Sequence, residues 1–426
     1  MEQFHSITLE GGLEVVGQVL PGVQSAALAF FIGAGACDEN WEVSGLAHLT
    51  ESTMFRGTER RASRQLTDEL ERLGVSRGSS AGLEVTLFNG VLLGDHLPAA
   101  LEIFVDVIRR PAFPAEELEA VRALQMQEIG QRNDQPAQLV MDRARQVYFA
   151  GSPLGHDSLG SPESVQALTR DLVVANWSAH YRPNRSVVAV AGKFEWDELV
   201  PQLTELCAGW HGGEERHWPE EPAVNPAVTV YELSIAQENL CFTFPGVSYS
   251  DPSYYAAALA SMVLGGGMNS RLFSEVREKR GLAYSVGARF DALSVGGLVR
   301  VYAGTQPERA RESVEVIRTE LANLEAGGVT ATELELAKTR LKSRVVMNSE
   351  STANRVMAIG RDWFYERRFR TLAEVRDQID ATTVDDIAGY LGRIHLTQNL
   401  GLMAIGPLSA ADLGVADRAF EIAGAP

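Results

Sequence analysis

The distribution of apolar and polar positions predicts that strands and helices occur in clusters along this chain of 426 residues. Two short strands flank Gly11-Gly12, which is typical of a β-hairpin turn, and apolar runs or helical periodicity define the elements that follow. The predicted elements are strands at 6–10, 13–20, 26–32, 75–80 and 84–92, and helices at 42–56, 63–73 and from 96 onward. Ser63 is the expected N-cap of the second helix. Because the elements come in runs, we expect an α+β fold in which helices cover an antiparallel sheet.

The same order of elements occurs twice. Segment 114–137 begins with PAEELE and continues with a long helical pattern, and segment 330–352 begins with TATELE and continues in the same way. Each half then carries a helix that starts at Thr and leads to an apolar strand ending in Gly, within 169–192 and within 383–406. A polar stretch rich in Gly, Pro and Glu separates the halves and indicates a linker. The predicted organisation is two homologous domains at 1–210 and 226–426, joined by a linker at 211–225.

Composition narrows the class of protein. The chain is 45% hydrophobic and 22% charged, as ordinary globular proteins are, so wholesale disorder is not expected. Its formal charge of −18 argues against nucleic acid or an anionic membrane as a partner, because both require clustered Lys and Arg.

Cysteine usage and the N-terminus predict a cytoplasmic protein. The three cysteines are far apart and form no C-x-x-C pair, which excludes a disulfide scaffold and a cysteine-based zinc site. The first residues are acidic and no apolar segment of a signal peptide follows them. The most apolar run, 254–264, is too short to span a bilayer and is interpreted as a core helix.

Candidate chemistry lies on the helix at 42–56. His48, Glu51 and Ser52 stand at positions i, i+3 and i+4, so they share one face. The inverted zinc-peptidase motif H-x-x-E-H needs a second His at the position of Ser52, and a hydroxyl is a poor zinc ligand. Taken alone, His48 and Glu51 fit an ordinary pair on a helix surface. A serine hydrolase built on Ser52 is disfavoured, because no orienting acid or oxyanion loop accompanies it.

The longer string HLTESTMFRGT at 48–58 resembles the H-F-L-E-H-M-L-F-K-G-T signature of the pitrilysin family, which includes insulin-degrading enzyme and the mitochondrial processing peptidase. This resemblance implies a third zinc-ligand position at Glu128, eighty residues after His48. Glu128 also follows the apolar stripe of Leu118, Val121 and Leu124, where a carboxylate needs a partner. The residues alone leave open whether that partner is an Arg or water.

Further motifs extend the resemblance over nearly the whole chain. The pair of segments around Leu73-Gly74 and 82–86 resembles the strands that follow the zinc helix in this family, with Ser79 where active members usually have Asn. The segment from Leu264 to Val286 is similar to the family's second-domain signature, and its triple Gly lacks the Gly-Lys ending of a phosphate loop. Locally, Gly281 is expected to end a helix and Tyr284 to begin a strand, so each also has a structural interpretation.

The resemblance implies two homologous domains, each an antiparallel sheet covered by helices, which together form half of a clamshell chamber. It also implies that Arg277 and Tyr284 bind a substrate carbonyl, whereas Arg280 is expected to be a surface charge. With Ser52 in place of the second His, no metal is expected in this chain. If an ion binds, His48 and Glu128 are its ligands.

The leading hypothesis is a zinc-site-deficient subunit of a heterodimeric metallopeptidase of the pitrilysin type, inactive alone. Its partner would be a paralogous subunit with an intact H-x-x-E-H motif that carries the zinc, and its substrate a peptide or unfolded polypeptide. Arg277 and Tyr284 would act in trans at that zinc. The alternative is a catalytically silent structural or assembly subunit of the same family, and a stand-alone peptidase is the least favoured interpretation. Neither nucleic acid nor a membrane is an expected partner.

Overall fold

The computed structural model describes residues 3–218 and 222–416 and shows a mixed α+β fold with two sheets, each covered by helices. The strands are β1 Gln3–Thr8, β2 Glu14–Val19, β3 Ser25–Ile32, β4 Ser76–Ala81, β5 Thr86–Leu93, β6 Ser186–Gly192, β7 Val228–Glu232, β8 Glu238–Gly246, β9 Ala283–Ala292, β10 Gly297–Thr305 and β11 Gly401–Gly406. The helices are α1 Leu46–Met54, α2 Ser63–Arg72, α3 Leu97–Arg109, α4 Ala115–Asn133, α5 Pro136–Tyr148, α6 Pro162–Ala167, α7 Arg170–His180, α8 Trp196–Leu206, α9 Tyr254–Gly265, α10 Pro307–Gly327, α11 Ala331–Ser349, α12 Thr352–Glu366, α13 Leu372–Ala381, α14 Val384–Ile394 and α15 Ala410–Leu413.

The chain divides into two compact units, each assembled from three segments. The first unit comprises 1–129, 156–217 and 345–372, and the second comprises 130–155, 218–344 and 373–426. The chain passes between units after His217, inside the segment predicted as a linker. The predicted domains are continuous in sequence, whereas α5 belongs to the second unit and α12 to the first. Each half of the sequence therefore contributes a helix to the unit built mainly from the other half.

The sheet of the first unit has six strands in the order β1-β2-β6-β3-β5-β4. All pairs are antiparallel except β2 and β6, which are parallel. The central strands β3 and β6 read SAALAFFI and SVVAVAG and are buried on both faces, because helices cover the sheet on each side. On one face α12 lies so close to β3 that a Cβ atom on Gly360 would come within 2.1 Å of the Phe31 ring. The sheet edge at β4 pairs on one side only.

The sheet of the second unit has five strands in the order β7-β11-β8-β10-β9. Only β7 and β11 run parallel. The helix α5 packs against β8, β11 and β10, and α9 packs against β9. The buried side chains of Leu139, Val140 and Cys241 join these layers. The edge strand β9 thus lies on a helical layer, with its outer edge unpaired in this sheet.

The fold class predicted from the sequence is confirmed, with local corrections. Gly11 and Gly12 form the hairpin turn, both at positive φ. The N-cap of α2 is Ala62, and Ser63 is its first helical residue, so that assignment was wrong. The predicted helix at 42–56 begins with a separate 3₁₀ turn at Trp41–Val43 before α1 starts. In the part of the chain that the structure describes, no helix is both long and apolar enough to cross a membrane.

Candidate functional site

The helix that carries the degenerate motif is fixed at its N-terminus by a buried carboxylate. Gly45 is the N-cap residue of α1 and has a φ of 92°, a left-handed conformation that favours Gly. The Glu39 carboxylate accepts hydrogen bonds from the backbone N–H of Gly45 at 2.9 Å and of Ala47 at 2.5 Å. Burial raises the pKa of Glu39 to about 8, although these two hydrogen bonds oppose the shift. Sequence analysis missed Glu39, and its only signal was an acid shortly before a helix.

The opposite face of α1 packs into the core and sets which side chains remain available. Leu49, Thr50 and Met54 are fully buried, and the Thr50 hydroxyl accepts a hydrogen bond from Asn176 of α7 at 3.0 Å. At the start of the helix, the Gln125 amide of α4 donates to the carbonyl oxygen of Gly45 at 3.0 Å. The remaining face, with His48, Glu51 and Ser52, lines a cavity of the first unit.

His48 and Glu128 meet in this cavity, as the resemblance implies. His48 Nε2 lies 3.0 Å from Glu128 Oε2, which links α1 to α4. The hydrogen bond from His48 lowers the pKa of Glu128, whose side chain is 48% exposed. The partner that sequence analysis left open is therefore the imidazole. The expectation that Leu124 belongs to a buried stripe was wrong, because Leu124 is 46% exposed and lines the cavity.

Glu51 is also engaged by neighbouring side chains of the first unit. The carboxylate accepts a hydrogen bond from the Ser52 hydroxyl at 3.2 Å and a second from the Ser79 side chain of β4. Only 5% of Glu51 is exposed, and burial raises its pKa above the ordinary value against these hydrogen bonds. Ser52 is thus occupied as a donor to the carboxylate beside it.

These donors do not fit a catalytic zinc site. Catalytic zinc is bound by three protein ligands of the His, Cys, Asp or Glu type together with a water molecule. Here His48 and Glu128 supply two such ligands, and the hydroxyl of Ser52 stands where a second imidazole is needed. Within residues 3–218 and 222–416, no group of three or more His, Cys, Asp or Glu side chains is arranged to hold a metal ion.

The cavity around this pair carries a polar lining that the sequence did not indicate. The hydroxyl-bearing residues Ser52, Ser63, Thr67, Ser79, Ser80 and Ser158 line it, together with Arg56 and Arg77. Arg77 lies on β4 with its guanidinium carbon 4.3 Å from the centre of the Phe55 ring. Its position on an edge strand is the only signal that could have indicated the role of Arg77 from the sequence.

Arg277 and Tyr284 lie side by side in the second unit. Arg277 belongs to a π-helical segment, Phe273–Glu278, and its guanidinium carbon lies 5.1 Å from the centre of the Tyr284 ring and 4.9 Å from that of Phe273. Tyr284 is the second residue of β9 and is 82% exposed. Gly281 connects the two elements with φ of 60°. The structure brings this pair together, while the catalytic role that the resemblance implies stays a prediction.

Arg280, expected to be a surface charge, differs from Arg277 in its contacts. Its guanidinium donates to the Glu275 carboxylate and to the Glu275 carbonyl oxygen. The Arg277 guanidinium forms no hydrogen bond or ion pair with any residue that the structure describes.

Comparison with known proteins agrees with the fold and with the motifs. Residues 14–161 match the family described as insulinase (peptidase family M16), and residues 167–341 match the family described as peptidase M16 inactive domain. The chain is 30% identical to an uncharacterized zinc protease of Mycobacterium tuberculosis over 94% of this chain and 92% of the relative. It is 27% identical to an uncharacterized zinc protease of Bacillus subtilis over 94% of this chain and 97% of that relative.

Two solved structures share the fold. A peptidase M16 inactive domain from Pseudomonas fluorescens has a TM-score of 0.88 at 23% identity and covers 98% of this chain and 100% of its own. A protease from Helicobacter pylori has a TM-score of 0.88 at 20% identity and covers 95% of this chain and 100% of its own. The duplicated fold, the motif helix and these relatives together show that the chain belongs to peptidase family M16, the pitrilysin family.

Proposed function

We propose that this protein is the zinc-site-deficient subunit of a heterodimeric M16 metallopeptidase. It encloses and binds a peptide substrate and contributes Arg277 and Tyr284 to cleavage at a zinc ion held by a paralogous partner subunit with an intact H-x-x-E-H motif. The names of its relatives support a peptidase context, since the relatives from M. tuberculosis and B. subtilis are called zinc proteases.

The main support for the proposal is that Tyr284 is exposed and that the Arg277 guanidinium beside it is unpaired. The Tyr284 side chain is 82% exposed and stacks with the guanidinium of Arg277, which has no hydrogen-bond acceptor among the described residues. A phenol and a guanidinium held together can donate hydrogen bonds to a peptide carbonyl and to the oxyanion that develops on it. A subunit that served only as a scaffold would have no use for two unpaired donors at one position.

The donor set of α1 supports a division of labour between subunits. His48 and Glu128 are paired with each other, and Ser52 donates to Glu51, so this chain does not present three metal ligands. Tyr284 lies at the start of the edge strand β9, which leaves backbone groups unpaired within its sheet, and an extended peptide can add to such an edge.

The proposal includes the cytoplasm as the location. Cys37, Cys207 and Cys241 are all free, as expected where thiols are kept reduced. Burial raises the pKa of Cys207 to about 11 and of Cys241 to about 12, so neither thiol is activated for disulfide exchange.

A reconstituted cleavage assay tests this function. The purified chain is mixed with a paralogous H-x-x-E-H chain from the same source and with quenched fluorogenic peptides. We expect cleavage only when both chains are present, and Tyr284→Phe should lower kcat about a hundredfold with little change in KM, because an oxyanion donor acts mainly in the transition state. Arg277→Gln should lower kcat in the same direction.

Arg280→Gln is the matched control, since it removes the same charge from the same connection but from a residue already paired with Glu275. Full activity of the Tyr284→Phe and Arg277→Gln mixtures would contradict the proposal and favour the silent assembly subunit. Cleavage by this chain alone, abolished by a chelator, would assign the activity to a stand-alone peptidase instead.

A further inference from the structure

The cavity beside α1 has the chemistry of an anion-binding site. Six hydroxyl-bearing residues and two arginines line it, on walls from α1, α2, α4 and β4 and from the segment before α6, all within the first unit. Ser52 and Ser79 donate to Glu51, and Thr67 donates to the carbonyl oxygen of Ser63. The hydroxyl groups of the other three residues and the guanidinium groups are hydrogen-bond donors that suit a carboxylate.

Arg77 is the cation in this cavity that remains available. Its guanidinium stacks on Phe55 at 4.3 Å, and no hydrogen bond or ion pair joins it to a residue in the described part of the chain. Partial burial lowers the pKa of Arg77, and the neighbouring Glu51 only partly opposes this effect. A guanidinium that is partly desolvated and lacks a direct acceptor favours an incoming anion. Arg56, in contrast, faces Glu117 of α4 at 4.0 Å.

The carboxylates of the cavity are already satisfied by other groups. Glu128 is paired with His48 at 3.0 Å, and Glu51 accepts hydrogen bonds from Ser52 and Ser79. An incoming carboxylate therefore meets an unpaired guanidinium and two acids that are already engaged.

We propose that this cavity binds a carboxylate of the peptide substrate, with Arg77 of β4 as the charged donor and hydroxyl groups of the lining as neutral donors. The inference rests on the proposed function in that it assumes a peptide ligand, and it adds a preference for acidic sequence. The carboxylate belongs to an Asp or Glu side chain or to the peptide C-terminus. Because β4 is an edge strand, a peptide running along it can place such a group in the cavity.

Fluorescence polarisation with the full chain alone tests the preference. The probes are four fluorescein-labelled Ala-Ser-Val host peptides, with a central Asp or Asn and with a free or amidated C-terminus. We expect at least one carboxylate-bearing peptide to bind about tenfold more tightly than the amidated Asn peptide, as a charged hydrogen-bonded pair contributes. Dependence on Asp identifies a side-chain carboxylate, and dependence on the free terminus identifies the peptide C-terminus.

Arg77→Gln should abolish this discrimination, and Arg77→Lys should retain part of it because the positive charge remains. Arg64→Gln is the matched control: Arg64 is exposed next to Ser63 of the cavity lining but does not itself line the cavity. Circular dichroism of each variant checks that it folds.

Equal binding of all four peptides, or equal loss of discrimination in the Arg64→Gln protein, would overturn the inference. The inference would also be overturned if none of the four peptides bound to the protein. The proposed function is judged separately, by cleavage with the partner chain and its dependence on Tyr284, so the two can fail independently.

Discussion

The motif face of α1 and the Arg277–Tyr284 pair differ in whether their polar side chains are paired within the protein. On α1, His48 pairs with Glu128, and Ser52 donates to Glu51. In the second unit, Tyr284 is exposed, and the Arg277 guanidinium stacks on two aromatic rings without a hydrogen bond or ion pair to any residue described.

This is the difference expected between groups that maintain the fold and groups that bind a ligand. Side chains that satisfy each other need no metal or substrate to be stable, because their hydrogen bonds are made within the protein. Unpaired donors on the surface contribute little to stability and are available for binding. The contrast agrees with the proposed function, in which the groups on α1 are structural and Arg277 and Tyr284 bind substrate.

The largest effect is expected when the missing imidazole is restored on α1. Ser52→His places a third strong ligand beside His48 and Glu128, whose nitrogen and oxygen already lie 3.0 Å apart. We expect zinc affinity to rise roughly a hundredfold or more, the gain expected from one further protein ligand. Metal content after dialysis against zinc, and the visible spectrum of the cobalt-loaded protein, measure this change.

Ser80→His controls for an imidazole added to the same cavity from β4. Equal zinc in the two variants would show only adventitious binding by an added His. Unchanged zinc in Ser52→His would show that the ligand positions no longer support a metal, and that the paired state of α1 is permanent.

Much of the fold follows from local sequence pattern. Gly11-Gly12 marks the first hairpin, and the apolar runs at β3 and β6 indicate central strands, because their burial on both faces leaves no polar alternation. The pattern does not show which sheet a helix covers. Both α5 and α12 have an apolar face that suits either sheet, so their assignment to the unit of the other half could not be predicted.

The site was predictable only where a motif constrains it. The pairing of His48 with Glu128 follows from the resemblance to the family, since the two residues are eighty positions apart. Glu39 and Arg77 escaped prediction because their roles depend on the backbone of α1 and on the ring of Phe55, which approach them only in the folded chain. The only signals are weak: Glu39 comes shortly before a helix, and Arg77 lies on an edge strand.

A smaller effect is expected from the carboxylate that holds α1 in place. Burial raises the pKa of Glu39 from 4.5 to about 8, so its protonated form stabilises the folded state. This contribution is complete below the unfolded-state pKa and is lost as the pH rises through about 8. Glu39→Gln should therefore lower the free energy of unfolding at about pH 5 by roughly 1 kcal/mol, through the lost cap.

The deficit of Glu39→Gln should shrink as the pH rises toward 8, because only the wild-type protein loses stability from ionisation of this group. Urea unfolding at a series of pH values measures it. Glu238→Gln makes the same change in the second unit, where burial raises the pKa to about 7 and the convergence should come at lower pH. A deficit for Glu39→Gln that is constant across this range would contradict the prediction and leave the carboxylate as an ordinary ionised cap.

The smallest effect is expected from separating His48 and Glu128. Because the Glu128 side chain is 48% exposed, Glu128→Gln should lower the free energy of unfolding by less than about 1 kcal/mol. The hydrogen bond from His48 lowers the pKa of Glu128 below 4.5, so this contribution is present above pH 4.5 and is lost as the pH falls through the lowered value. Glu117→Gln, on the same helix and facing Arg56 at 4.0 Å, is the matched control.

The cleavage assay with the partner chain, applied to Glu128→Gln, tests directly whether the His48–Glu128 pair differs in role from Arg277 and Tyr284. If the pair between α1 and α4 is structural, Glu128→Gln leaves kcat unchanged and only slightly lowers stability, whereas Tyr284→Phe lowers kcat and leaves stability unchanged. A fall in kcat for Glu128→Gln that matches the fall for Tyr284→Phe would place Glu128 among the groups that act on substrate. The distinction between satisfied and unsatisfied donors would then no longer separate structure from function in this protein.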